Sequence, residues 1–117
     1  MQNIKSFKDL IVWQKSILLN KDIFRLVKTL SKEDIYTIGS QMQRSAVSIS
    51  SNIAEGFNRG SKKEYVYFLR IAYGSCAELE TQLIILSDIY KLKQIENCIA
   101  LNVEIQKMLN TIIKNFK

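Results

Sequence analysis

Proline and histidine are absent from the 117 residues, and glycine occurs only four times. Without proline and with so few glycines, the chain lacks the turn chemistry that a β-sandwich or barrel needs at its many reversals. The missing histidine removes the commonest general base, the commonest metal ligand and the Ser-His or Cys-His nucleophile pair. Cys76 and Cys98 form neither a CxxC nor a zinc-ribbon spacing. Residues 1–8 contain no apolar h-region, so no export signal is read, and free thiols in a reducing cytoplasm are expected. Apolar runs are short, as in Leu83 to Leu86, so neither a membrane span nor a membrane partner is expected.

Hydrophobic residues make up 47% and charged residues 24%, which supports a buried core rather than disorder. At this length the expectation is a single domain over residues 1–117. Lys and Arg number 17 against 11 Asp and Glu, a formal net charge of +6. The excess is not a tail: residues 1–60 carry nine basic and five acidic side chains, and residues 61–117 carry eight and six. A polyanionic partner, RNA, DNA or an acidic protein surface, would therefore meet a patch on folded structure.

Serine followed three residues later by an acid recurs at Ser6–Asp9, Ser31–Asp34 and Ser61–Glu64, each before an apolar-periodic run. This is the capping-box pattern, and it places three helix starts. A fourth start is read near Lys93 to Ile95. Gly56 and Gly60 flank the second connection, where a left-handed C-terminal glycine is expected. The third helix has the clearest seam: Tyr65, Leu69, Ala72, Cys76, Leu79, Leu83, Leu86 and Tyr90. The second reads Ile35, Ile38, Met42, Ser45, Ile49, Ile53 and Gly56, and the fourth Ile95, Cys98, Asn102, Ile105, Leu109, Ile112 and Phe116. In the first, Leu10, Trp13, Ile17, Phe24 and Val27 are taken as the inner face, widened by Ile11, Leu18 and Leu26. Short connections make neighbours antiparallel, and an all-α, up-down-up-down four-helix bundle follows. Ile84, Ile85, Ile89, Leu101 and Met108 lie off the seams; they read either as a broad core stripe or as a second apolar face for self-association.

Two segments stand out as candidate sites. Between Ser45 and Gly56 the second helix is rich in serine, a mediocre helix former, and Gly74-Ser75 of the third helix could face it. Asn52, Glu55 and Glu78 turned inward would make either a polar network fixing helix pairing or a polar site across two helices. A ferritin-like metal site needs Glu-x-x-His and is set aside, and no cofactor is expected. The second segment is Phe57 to Lys63, the densest basic cluster, placed at a helix N-terminus whose free amides already favour anions. Arg59, Lys62 and Lys63, extended by Arg44 and Arg70, are the candidate nucleic-acid-binding residues, and a solvated loop is the plainer alternative. The sequence there is not a phosphate-binding loop, because it lacks the glycine pattern and the preceding strand. Among aromatics, Trp13, Tyr65 and Phe68 sit at or near core spacing, while Tyr67 is expected to be exposed beside the lysines.

In order along the chain stand Phe7-Lys8-Asp9-Leu10-Ile11-Val12-Trp13-Gln14, the stretch Gln41 to Ile49, Asn52-Ile53-Ala54-Glu55-Gly56, Phe68 to Ser75, and Glu78 to Leu83. In combination these blocks resemble the bacterial four-helix-bundle proteins named for intervening sequences in 23S ribosomal RNA genes. The resemblance implies a homopentamer without known catalytic activity. It also implies kinship with the accessory proteins of diversity-generating retroelements, whose basic surfaces bind nucleic acid and a reverse transcriptase. Where the family usually has a proline in its second helix, this chain has Ser50, which should straighten that helix. The reading favoured is a non-catalytic, oligomeric bundle that binds RNA or DNA through backbone phosphates. A scaffold for an acidic partner or a nucleic-acid enzyme is the alternative. An enzyme would need Glu55 and Glu78 as acid and base in an open cleft.

Overall fold

Ser6, Ser31 and Ser61 each accept a hydrogen bond from an amide of the turn that follows, as their spacing predicts. A computed structural model describes residues 3–116; Met1, Gln2 and Lys117, part of the domain expected over 1–117, lie outside the described residues. Ser6 caps only a single 3-10 turn, Phe7–Asp9, and the long helix α1 begins after it, at Ile11–Lys28. Helix α2 spans residues 32–58 and contains a π-helical stretch, Ile35–Gly39, ahead of regular α-helix at Ser40–Asn58. Helix α3 is Lys62–Ile89 and α4 is Lys93–Asn115, the latter without a side-chain cap. Three-residue connections at 29–31, 59–61 and 90–92 reverse the chain each time, giving the expected antiparallel four-helix bundle, 43 × 24 × 20 Å.

The most extensive packing is between α2 and α3, followed by α3 with α4; α1 closes the square against α2 and α4. Leu69, Ala72, Cys76, Leu79, Leu83 and Leu86 of α3 are fully buried, as are Met42, Ile49 and Ile53 of α2 and Ile95, Ile105 and Leu109 of α4. The inner face of α1 differs from the sequence reading. Val12, Ser16, Leu19, Ile23, Leu26 and Val27 are buried, whereas Ile11, Leu18 and Phe24 are exposed and Trp13 and Ile17 half-buried. The apolar residues of α1 cover more than half its circumference, so their spacing alone did not single out the core-facing stripe. Leu101 and Met108 do widen the core as partly buried side chains, but Ile84, Ile85 and Ile89 lie in solvent.

Small polar side chains tie the helices at defined heights. Ser16 Oγ lies 2.8 Å from Ser50 Oγ, and Asn20 Nδ2 donates to Ser50 Oγ and to the Ala46 carbonyl, both at 2.9 Å. Ser50, standing where the family's proline is expected, thus joins α1 to α2, and the α-helix runs through it without interruption. Ser48 and Ser75 hydroxyls meet at 2.8 Å between α2 and α3, and Asn102 Nδ2 donates to the Cys76 carbonyl at 2.8 Å between α4 and α3. Gly56 is not a helix cap but a close-approach point inside α2: a Cβ there would stand 2.7 Å from Phe68 Cβ. The left-handed glycine of that connection is Gly60, at φ +89°. Gly39, in the π stretch, is equally tight, its would-be Cβ 2.8 Å from Val27 Cγ1.

The far end of the bundle is fastened by Tyr90. Its hydroxyl donates to Asp34 Oδ2 at 2.7 Å and accepts from the Ser31 amide at 3.0 Å. Asp34 therefore serves a neighbouring helix end instead of reaching back to its own cap.

Replacing Gly56 by Ala forces α2 away from Phe68 and should lower stability by about 1–3 kcal/mol in chemical denaturation; an unchanged midpoint would remove the close-approach argument. Tyr90→Phe deletes both bonds of the clasp and should cost about 1 kcal/mol. Burial pushes the thiols of Cys76 and Cys98 up to about 12 from an ordinary value of 9.0, with Glu80 adding to the rise at Cys76 and Asp22 at Cys98. Below pH 9 both states hold these protons; above it the unfolded chain releases them first. Stability should therefore decline as pH rises from 9.0 toward 12. Alanine at both positions should flatten that decline, and an identical pH profile would refute the assignment.

Candidate nucleic-acid interface

The turn between α2 and α3 opens with Gly60 in a left-handed conformation and Ser61 as N-cap, so Lys62 and Lys63 occupy the first turn of α3. Both are exposed, and neither forms a salt bridge among the described residues. Cations here stand against the positive end of the helix dipole, an arrangement costing about 0.3–1 kcal/mol each at low salt unless an anion sits nearby. Glu64, in the same turn, accepts from Ser61 Oγ at 3.1 Å and offsets part of that field.

Arg59 is differently placed. Its Nε donates to Glu55 Oε2 at 2.8 Å, its Nη1 lies 3.8 Å from Glu64 Oε2, and its guanidinium rests 5.0 Å from the centre of the Phe68 ring. Its charge is shared between two carboxylates, so it is the least available of the five candidate cations. Arg70 is exposed two turns into α3 and has no ionic partner among the described residues. Arg44 is also exposed, but it lies about 21 Å along α2 from the turn. It borders a cleft with Gln41, Ser45, Ser48, Glu78 and Gln82. The structure therefore gathers Lys62, Lys63 and, along the same helix, Arg70, and leaves Arg44 apart.

The aromatic side chains divide as exposure dictates. Tyr67 is 61% exposed beside the lysines, and Tyr73 is 39% exposed further along α3. Trp13, Tyr65 and Phe68 are half-buried. Tyr65 stacks edge-on between Phe57 and Phe116, and burial raises the pKa of its hydroxyl.

Asn52, Glu55 and Glu78 do not form the network expected of them. Asn52 Nδ2 donates to the Ser48 carbonyl at 2.8 Å and to Ser48 Oγ at 3.1 Å, joining the Ser48–Ser75 pair. Glu55 is exposed and turned to Arg59, and Glu78 is exposed at the cleft near Arg44. Since Ser48 and Ser75 touch, Glu55 lies two turns to one side of that height and Glu78 one turn to the other, about 15 Å apart along the bundle. At that separation the two carboxylates cannot act on one bond as acid and base. Of the residues that do tie the helices, Asn20 and Asn102 carried a signal in sequence as polar residues at apolar heptad positions, Ser75 was expected to face the serine-rich stretch that holds Ser50, and Ser16 carried none. Gly74, expected to face α2, points to solvent instead. Among the described residues, no three Cys, Asp or Glu side chains cluster as a metal site. Among the described residues, no helix is long and apolar enough to cross a membrane.

The sequence profile of the 23S rRNA-intervening sequence protein family matches residues 8–111. A similar solved structure is a protein of unknown function from the S23 ribosomal protein family of Bacteroides thetaiotaomicron. It is 31% identical, with a TM-score of 0.81, and the match covers 89% of this chain and 96% of that one. No curated protein matches the chain. With the profile spanning nearly all of α1 to α4, and a bundle of the same architecture sharing 31% of its residues, the chain belongs to the 23S rRNA-intervening sequence protein family.

Proposed function

We propose that this protein is a non-catalytic, oligomeric bundle of the cytoplasm that binds RNA or DNA through the phosphate backbone. The observation that carries the reading is the concentration of unpaired positive charge at the start of α3. Lys62 and Lys63 stand against a helix dipole, with Arg70 on the same helix and no carboxylate bridging any of the three among the described residues. A polyanion supplies the counter-charge that the chain withholds, and release of its condensed ions drives association. The family's association with ribosomal RNA sequence and the +6 net charge support the same reading. Assembly into a homo-oligomer, a pentamer by family resemblance, would repeat the cationic patch once per copy and multiply its effect.

A second reading, a scaffold for an acidic partner or for a nucleic-acid enzyme such as a reverse transcriptase, has a separate observation in its favour. Ile84, Ile85 and Ile89 are 49%, 49% and 64% exposed at the end of α3 away from the lysines. Such an apolar group suits contact between copies or with a protein partner.

Binding of a single-stranded RNA should weaken steeply with salt, and Lys62→Ala with Lys63→Ala should reduce the log–log slope by about 1.4. Arg59→Ala should change the slope far less, because Glu55 and Glu64 already neutralise that side chain. Fluorescence anisotropy across a salt series, with light scattering to fix the mass, tests this; affinity indifferent to salt would overturn it.

A further inference from the structure

Three of the four glycines are explained inside the chain: Gly39 by Val27, Gly56 by Phe68, and Gly60 by its positive φ. Gly74 is not. It lies in the middle of α3, solvent-exposed, and a Cβ there would meet nothing within 4 Å. A glycine inside a helix is less stable than alanine, and this one returns no packing within the protomer. Glycine also permits a ligand to approach the backbone closely.

The surroundings of Gly74 state what kind of ligand. Arg70 is one turn before it, with Tyr67 one turn before Arg70 and Tyr73 beside the glycine; at 100° per residue Tyr67, Arg70 and Gly74 share a face. Tyr67 and Tyr73 are 61% and 39% exposed, and neither hydroxyl hydrogen-bonds among the described residues. From Tyr65 to Ala77 the helix carries no acidic residue, Glu78 ends the face one turn beyond Gly74, and Lys63 continues the cationic edge one turn before Tyr67. An exposed aromatic ring, an unpaired guanidinium and bare backbone on one helix face, with the Tyr73 ring about 60° beyond Arg70 at its edge, are the components that hold an unstacked base beside its phosphate. In a duplex the base faces are covered by their neighbours, and these rings would find nothing to stack on.

Resting on the nucleic-acid reading above, we infer that Tyr67, Arg70, Tyr73 and Gly74 form a stacking platform for an unpaired nucleobase, so that the ligand is single-stranded where it crosses α3. The probes are a uridine-rich RNA oligonucleotide and the same strand annealed to its complement, titrated by anisotropy. The single strand should bind more tightly. Tyr67→Ala should weaken it about five- to a hundredfold while leaving duplex binding unchanged, and Tyr67→Phe should restore the affinity. Gly74→Ala should raise the melting temperature by several degrees yet weaken single-strand binding, two effects of opposite sign that a purely structural glycine would not show. Equal affinity for duplex and single strand, or full binding by Tyr67→Ala and Gly74→Ala, overturns the platform. So does a fall in oligomer mass in either variant, which would assign this face to a second copy of the chain. If wild type binds neither probe, the nucleic-acid reading itself fails. If the Lys62 and Lys63 variants lose binding while the Tyr67 and Gly74 variants keep it, only the platform does.

Discussion

Gly56 and Ser48 set how closely α2 and α3 can approach, and most of the bundle's geometry follows from that pair of helices. Where Gly56 meets Phe68 there is no room for a methyl group, and where Ser48 meets Ser75 two hydroxyls replace what would be two larger apolar side chains. A close pair brings backbone within reach of side chains, so van der Waals contact is dense along it. Helices α1 and α4 then close on a platform already fixed. Each does so partly through an amide: half-buried Asn20 against α2, beside the Ser16–Ser50 hydroxyl pair, and buried Asn102 against α3, beside Gln106 donating to Glu80. Slippage by a turn would break these inter-helix bonds and pull the amide nitrogens from their acceptors in a largely apolar interface, which holds the helices in register.

The same helix that anchors the core also presents the cations. On α3, the leucine and cysteine seam faces inward while Lys63, Tyr67 and Arg70 face out. Rigidity therefore passes directly to the surface charge, because these side chains grow from a helix buried along one entire face. Arg59 shows the contrast. Lying in a connection, it is neutralised by Glu55 and Glu64 and laid over Phe68, which makes it part of the joint between two helices.

The local code of this chain is strong and its global code weak. Three serine-acid pairs mark real caps, and the seams of α2 and α3 follow a four-three rhythm because only one face of each is apolar enough to bury. Helix α1 hides its inner face because Ile11, Leu18 and Phe24 are apolar and outward, so periodicity offered two overlapping stripes. Glu55 and Glu78 looked like neighbours because sequence gives angular position on a helix but not the relative height of two helices. That height is fixed by Ser48 and Ser75; the sequence set Ser75 opposite the serine-rich stretch of α2 but not which serine it meets. The pairing of Arg59 with Glu55 was available as an i, i+4 spacing, whereas the emptiness around Gly74 depends on how α3 is turned against its neighbours.

Helices α1 and α4 both begin without a polar side chain at the cap, Leu10 and Leu92 standing where serine begins α3, but α1 follows directly on the 3-10 turn that Ser6 caps, and α4 has no such turn before it. Of the first amides of α4 only that of Ile95 finds an acceptor among the described residues, the Leu92 carbonyl at 3.1 Å, and the one side-chain hydrogen bond that holds the chain just before it to another helix is that of the Tyr90 hydroxyl. Backbone protons in residues 91–96 should therefore be the first of the helical ones to trade with solvent. Opening would spread from this corner, at the opposite end of the bundle from the lysines of α3, so the protein can breathe there while the charged end stays ordered.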